Sequence, residues 1–286
     1  KNTKILIVGL GLIGGSYAKA LSDEGYFVGA IDKKKSSVEY ALKNGLIQVG
    51  ETSVKKDFVK DFDLIVFALY PHDFINWIKE YQSSIKSGAL ITDVTGVKSF
   101  VVENVQKILR GDLEFVGAHP MAGKEVSGVE NADPKIFVGA NYIVTPTKKN
   151  TDENVQAVKD LGRALGFERI SSLSPEEHDE TVGFLSHLTH CIAVSLMVSK
   201  KSHHLAEYTG DSFRDLTRIA KINDEMWSEL FLANKDELLK QMDLFEEKFN
   251  QLKEDIKNDN REKIRETLRE STVRRKVFDK DAKETK

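Results

Sequence analysis

Cysteine is almost absent: Cys191 is the only one in 286 residues. No intrachain disulfide can form, and a reducing, intracellular setting is expected. No sign of charge dominates either, with a formal net charge of -3 at pH 7. That balance gives no reason to expect nucleic acid or an anionic membrane as partner. An anionic ligand must then be held by local basic groups. No apolar run approaches the roughly 18 residues needed to span a bilayer. The chain opens on Lys1-Asn-Thr-Lys4 without a Met and passes straight into an apolar run. This leaves no room for a signal peptide, so a cytoplasmic location is expected. Internal repeats and low-complexity tracts are lacking too.

What is present is a globular composition, 40% apolar and 30% charged, on a chain long enough for two domains. Two textures divide it. Up to about residue 170, short apolar runs alternate with amphipathic segments. The pattern predicts strands near 4–9, 27–31, 64–68, 89–92, 114–117 and 141–145. It predicts helices near 11–24, 35–44, 71–82, 97–109 and 151–165. Runs such as Leu64-Ile-Val-Phe-Ala68 show no polar alternation, which suits strands covered on both faces. The expected fold is α/β, a doubly wound Rossmann-type parallel sheet over 1–170.

From Ser171 onward the texture is helical. Ser174-Pro-Glu-Glu177 reads as an N-cap, a proline at the first helical position and acids against the positive end of the dipole. An all-helical domain is expected over 171–286. Within it, Leu238, Met242, Phe245, Phe249, Leu252 and Ile256 alternate four and three apart, a coiled-coil-like seam. The seam suits either one face inside its own domain or an interface between subunits. The tail from Asp279 is short and charged and is expected to fray.

Gly9-Leu-Gly11-Leu12-Ile13-Gly14 follows the first strand and opens the first helix. The first glycine permits a tight turn, the second lets backbone approach a pyrophosphate, and the third lets helix and strand pack closely. Helix N–H groups then face the phosphates. Asp32 ends the second strand eighteen residues after Gly14, near the spacing expected of a ribose-binding carboxylate. A carboxylate there favours NAD over NADP. Lys33, Lys34 and Lys35 pull the other way and keep NADP open. Leu69, Tyr70 and Pro71, after the fourth strand, are expected to line the same cofactor site.

A dinucleotide does not specify a substrate. In an open parallel sheet, ligands gather at the carboxyl ends of strands. Asp93-Val-Thr-Gly-Val-Lys98 follows the fifth strand, and Gly117-Ala-His119-Pro follows the sixth. His119 has the address of a general base, although a structural histidine would fit the same place. His187 and His190 share one helix face. No H-E-x-x-H pattern accompanies them, so no metal is expected. Arg218 lies beside an apolar stripe, as a surface arginine or as an inward carboxylate clamp.

Five blocks appear in order between residues 4 and 250: GLGLIGGS, DVTGVK, GAHPMAGKEVSG, SPEEHDETVGFLSHLTH and FRDLTRIAKINDEMWSELFLANK. With them the chain resembles the prephenate dehydrogenase family, which includes arogenate and cyclohexadienyl dehydrogenases of tyrosine biosynthesis. The resemblance implies NAD(P)-dependent oxidation of prephenate with loss of carbon dioxide, giving 4-hydroxyphenylpyruvate. It also implies a helical second domain, similar to the C-terminal part of 6-phosphogluconate dehydrogenases, that makes a homodimer. By motif, His119 takes the position of the histidine that bonds the ring hydroxyl. His190 and Arg218 take substrate-binding positions, Arg218 opposite a carboxylate, with Asp215 and Trp227 in supporting ones.

Three departures stand out. Gly96 replaces a serine common in relatives, so Thr95 becomes a candidate hydroxyl. Lys124 stands where threonine is frequent, as a carboxylate partner or as a mate for Glu125. Thr189 stands where proline is frequent. Arogenate stays open as substrate. Imine reductases and 3-hydroxyacid dehydrogenases share the expected architecture and form the competing enzyme reading. A dinucleotide-sensing protein is the non-enzyme one.

Overall fold

The computed structural model describes residues 2–124, 126–201 and 204–278. Its first sheet is built from the apolar runs. β1 (Lys4–Val8), β2 (Phe27–Ile31), β3 (Val49–Glu51), β4 (Leu64–Phe67), β5 (Leu90–Asp93) and β6 (Glu114–Phe115) stand in the order 3-2-1-4-5-6. Every neighbouring pair is parallel. Side chains alternate between two apolar layers, as strand geometry requires. Ile5 and Ile7 of β1 and Val66 of β4 enter one core, while Leu6, Val8, Ile65 and Phe67 enter the other. The connecting helices are α1 (Leu12–Asp23), α2 (Lys35–Lys43), α3 (Lys56–Val59), α4 (Pro71–Tyr81) and α5 (Ser99–Ile108). This is the doubly wound order whose strand sequence reverses between β1 and β4, the place where such folds bind ligands.

The stretch expected to form one strand at 114–117 is in fact two. Val116 makes the last main-chain tie to the first sheet, its N–H donating to Ile91 O at 3.0 Å. The chain then enters a separate three-stranded sheet of β7 (Gly117–Pro120), β8 (Asn141–Thr145) and β9 (Arg169–Ser172). β7 runs antiparallel to β8, and β9 parallel to it. Gly117 permits the crossing, because a Cβ there would lie 2.5 Å from Thr145 Oγ1. His119 therefore sits inside a strand, paired with Ile143, and not in the loop after one. β3 and β9 escape the sequence pattern because Val-Gly-Glu and Arg-Ile-Ser-Ser carry no apolar run. α6 (Asp152–Ala164) joins β8 to β9 and is capped by the Thr151 side chain.

Ser174 and Glu177 form a reciprocal capping box that starts α7 (Pro175–Val182). The helix continues through a π-helical turn, Gly183–Leu188, into α8 (Thr189–Val198). Residues 175–198 are together long and apolar enough to cross a membrane, with mean hydropathy 1.5 over the most apolar window. A search for uninterrupted apolar runs misses this, because Gly, Ser, Thr and His break the run without making it strongly polar. After α9 (Asp211–Thr217) a short 3-10 turn, Arg218–Ala220, leads to α10 (Asp224–Ala233), capped by Asn223.

Among the described residues, those up to 235 form one compact unit and those from 236 onward a second. The second holds α11 (Lys235–Lys257) and α12 (Arg261–Arg275). Of the seam residues on α11, Met242, Phe245, Phe249 and Ile256 are exposed. The expected fraying from Asp279 falls outside the described residues.

α6 presses on β8 through a glycine: a Cβ on Gly162 would lie 2.4 Å from the Tyr142 ring. Gly162→Ala is expected to cost about 1–3 kcal/mol by overpacking. Urea denaturation should show a lower midpoint with an unchanged slope.

Candidate active site

The loop after β1 is shaped by its glycines. Gly9 has φ +99, and a Cβ there would lie 2.4 Å from Ala68 O. Gly14 admits no side chain because its Cβ would lie 1.9 Å from Gly9 O. A Cβ on Gly11 would meet nothing within 4 Å. No protein contact demands glycine there, which fits a position kept clear for a ligand. α1 begins at Gly11 with no side-chain cap and no acid in its first turn, so its N–H groups suit an anion. Asp32 braces the loop: its carboxylate accepts from Leu10 N–H at 2.6 Å and Lys34 N–H at 2.7 Å. These residues fit a dinucleotide, and Leu12 and Ile13 form the start of α1 beside the glycines. Leu69 and Tyr70 lead from β4 into Pro71, the first residue of α4. Tyr70 OH accepts from Asn223 Nδ2 at 3.3 Å.

The loops after β4 and β5 lie side by side, since Val94 N–H donates to Phe67 O at 3.1 Å. Beyond Val94 is a fully buried polar cluster. Lys98 Nζ donates to Asp93 at 2.6 Å and to Thr95 Oγ1 at 3.1 Å. The Thr95 hydroxyl itself donates to Asp93, so it is committed inside the cluster. The other Asp93 oxygen accepts from Ala118 N–H at 3.1 Å, which anchors β7 one residue before His119. Burial draws the Lys98 ammonium below its usual range, and Asp93 opposes that shift.

His119 meets α7 across this cluster. Its Nδ1 is 2.8 Å from His178 Nε2, and His178 Nδ1 is 2.7 Å from Asp179 Oδ1. The Asp179 carboxylate also accepts from the Lys98 and Ser99 N–H groups, both at 2.8 Å, so it closes the start of α5. Burial works to raise that carboxyl, yet His178 and the two N–H groups hold it below its ordinary value. An ionised carboxylate only accepts, so His178 carries its proton on Nδ1. His178 Nε2 must then accept from His119 Nδ1–H. The remaining nitrogen, His119 Nε2, is left with a lone pair. Burial, then His178, Lys98 and His187, keeps the His119 imidazole well below its usual pKa. It is a neutral base with its acceptor nitrogen beside Gly96, where a Cβ would sit 3.8 Å away.

The π turn and the first turn of α8 each present a further histidine. His187 is buried, its Nδ1 accepting from Asn234 Nδ2 at 3.2 Å. Burial pushes its pKa down to about 4. His190 donates to Ser186 O at 2.8 Å, and its ring stacks on Trp227 with centroids 3.7 Å apart. Arg218, itself exposed, opens the half-buried 3-10 turn that packs on α8. Lys124 pairs with Asp133 at 3.2 Å, and its other suggested mate, Glu125, lies outside the described residues. Asp215 is exposed on α9. Among the described residues no cluster of three or more His, Cys, Asp or Glu could hold a metal ion.

Sequence reasoning assigned no role to Asp93, Lys98, His178, Asp179 or Asn234, although each lies in a stretch it singled out. One signal was available: Pro175, His178 and Val182 are spaced three and four apart, which puts His178 on the buried stripe of its helix.

A glycine loop suited to a dinucleotide, together with a neutral histidine on β7 anchored to the end of β5, is the arrangement of a dinucleotide-dependent dehydrogenase. Comparison narrows the class. The chain belongs to the prephenate dehydrogenase family: residues 17–169 match the family's nucleotide-binding domain and residues 174–270 its dimerization domain. Prephenate dehydrogenase of Bacillus subtilis is 35% identical over 84% of this chain and 66% of its own length. That of Lactococcus lactis is 32% identical over 87% and 70%. The chain thus spans about two thirds of those relatives. A crystal structure of Aquifex aeolicus prephenate dehydrogenase, solved with hydroxyphenyl propionate and NAD+, superposes with a TM-score of 0.89. It is 34% identical and covers 98% of this chain and 99% of that one.

Two glycine substitutions separate packing from binding. Gly14→Ala should lower Tm, because the β1–α1 junction must open. Gly11→Ala should leave Tm unchanged yet weaken NAD+ binding by calorimetry. Stability should also fall in acid. His119, His178 and His187 all have lowered pKa values. Below about pH 6.5 the unfolded chain takes up protons that the folded one refuses, so ΔG of unfolding falls as pH drops through that range, towards about 4 for His187. The expected slope is roughly 1.4 kcal/mol per pH unit for each such histidine, read from denaturation midpoints.

Proposed function

We propose that the chain oxidises prephenate with NAD+ and releases carbon dioxide and 4-hydroxyphenylpyruvate. The observation that carries this reading is the acceptor state of His119 Nε2, imposed by the hydrogen-bond chain from Asp179. Bound NAD+ supplies the hydride acceptor. His119 takes the proton of the ring hydroxyl, which raises electron density on the carbinol carbon and helps the hydride leave. A neutral imidazole is the form that can do so, and burial maintains it at physiological pH. Loss of the ring carboxylate makes the product aromatic and the step effectively irreversible.

Substrate is held from the helical side. His190, stacked on Trp227, has a fixed plane. Arg218 supplies the charge for a carboxylate of a dianion, which the slightly acidic chain as a whole cannot attract. Two of the three lysines after Asp32 face carboxylates of their own, Lys33 near Asp73 at 3.9 Å and Lys35 near Glu39 at 3.4 Å. That supports NAD over NADP.

The reading assigns 1–170 to the dinucleotide and 171–286 to substrate binding and dimerisation, in keeping with the two family matches. A homodimer is supported by the dimerization-domain match and by the exposed seam on α11. A cytoplasmic enzyme without nucleic-acid or membrane partners completes it. The apolar helix of residues 175–198 belongs to the site, since it supplies His178, Asp179, His187 and His190.

His119→Asn should lower kcat by on the order of 10²-fold or more with little change in KM. Arg218→Ala should raise KM for prephenate roughly 10- to 100-fold with kcat largely kept. An unchanged kcat in the His119 variant would remove it as the base. A crossed assay of prephenate and arogenate, each with NAD+ and NADP+, tests the substrate assignment. Faster turnover of arogenate would overturn it.

A further inference from the structure

We infer that His178, and not His119, carries the positive charge once the substrate proton has been taken, with Asp179 as its fixed counter-ion. The inference rests on the reaction proposed above. It adds two positioning residues, His178 and Asp179, that do not touch substrate.

The wiring permits one sequence of proton moves. At rest His119 bears its proton on Nδ1, donated to His178 Nε2 at 2.8 Å. When the O–H bond of the ring alcohol breaks, its electron pair stays on oxygen and the proton joins His119 Nε2. The Nδ1–H bond of His119 then breaks and that proton joins His178 Nε2. His119 ends neutral with its proton moved from Nδ1 to Nε2. His178 ends as a cation with both nitrogens protonated. One proton has entered and none is lost.

The surroundings decide which ring keeps the charge. His178 Nδ1 touches the Asp179 carboxylate at 2.7 Å, whereas His119 stands one ring further away. His119 faces the Lys98 ammonium and the His187 ring, both of which oppose a second positive charge. His178 also feels Lys98, but Asp179 and Asp93 favour its cation. Lys98 is itself paired with Asp93 at 2.6 Å, so Asp179 is the carboxylate of the cluster without a lysine of its own. At a separation of one contact in a buried site, such a charge outweighs one a ring further off. The relay also removes the new charge from the side of the site where a positively charged nicotinamide would bind.

Nitrogen-15 NMR of the histidine side chains, on the protein without ligands, tests this directly. During acid titration His119 should move its proton from Nδ1 to Nε2 and stay neutral while His178 becomes doubly protonated. A doubly protonated His119 beside a neutral His178 would overturn the inference. His178→Gln supplies the kinetic arm. Its amide oxygen still accepts from His119 Nδ1–H, so the ring stays oriented, but it cannot take the proton. The expected result is a kcat lower by roughly 10- to 100-fold with KM for prephenate within about two-fold. Wild-type kcat in that variant would overturn the relay. Should native protein show the tautomer exchange yet not oxidise prephenate, the relay stands and the substrate assignment falls.

Discussion

The Asp179 carboxylate is the joint on which the site depends. One oxygen accepts Lys98 N–H and His178 Nδ1–H, and the other accepts Ser99 N–H. Its own main-chain carbonyl accepts from Asn234 Nδ2 at 2.9 Å. One residue therefore closes the N-terminus of α5, orients the relay and fixes the end of α10. A carboxylate suits a helix start, where the dipole and unpaired N–H groups replace part of its lost hydration. Burying a charge without such partners would cost far more than the site could return. That debt explains why the start of α5, and not an exposed loop, is where α7 docks.

Charge balance follows from the same geometry. Asp93 and Lys98 cancel as a buried pair, which also ties Thr95 and the β7 backbone in place. Asp179 leaves the cluster with one negative charge. Burial, reinforced by Lys98, drives the histidines to their neutral forms, and at rest it wins. The carboxylate lowers the cost of a cation on His178 once a further proton arrives, which in the proposed reaction comes from substrate. A fixed, preoriented charge of this sort stabilises developing charge without reorganising. A buried lysine alone would have made His119 a poorer base. The Asp93 partner limits that effect without removing it.

Features set by neighbouring residues were legible in the sequence. The glycine spacing, the β1–α1 and β4–α4 turns, the Ser174 cap and the uninterrupted apolar strands are local constraints, and each lies where its residues predict. Features set by distant meetings were not. His119 and His178 are 59 residues apart in sequence, and Lys98 reads as an ordinary loop lysine until Asp93 is seen beneath it. The crossing at Val116–Gly117 was hidden for another reason: two short strands of different sheets follow without a turn between them, so their residues read as one run. Motif resemblance singled out His119 without these contacts, but it could not say which nitrogen of the ring is left with a free lone pair.

α10 gives the remaining order to the site. Along its length Asn223 reaches Tyr70, Trp227 stacks on His190, Glu229 accepts from His72 N–H at 2.7 Å, and Asn234 holds His187. Leu230 covers Gly96, whose added Cβ would meet Leu230 at 3.5 Å. The glycine at 96 therefore puts no hydroxyl against His119 Nε2, and Thr95 cannot supply one because Asp93 and Lys98 hold it. A serine there would offer that nitrogen a donor inside the protein. With glycine, and with an apolar wall on the other side, the donor that suits Nε2 is one a ligand brings. In the proposed reaction His119 thus keeps this lone pair for a substrate hydroxyl, and the ring's orientation rests on Nδ1 and the His178–Asp179 pair behind it.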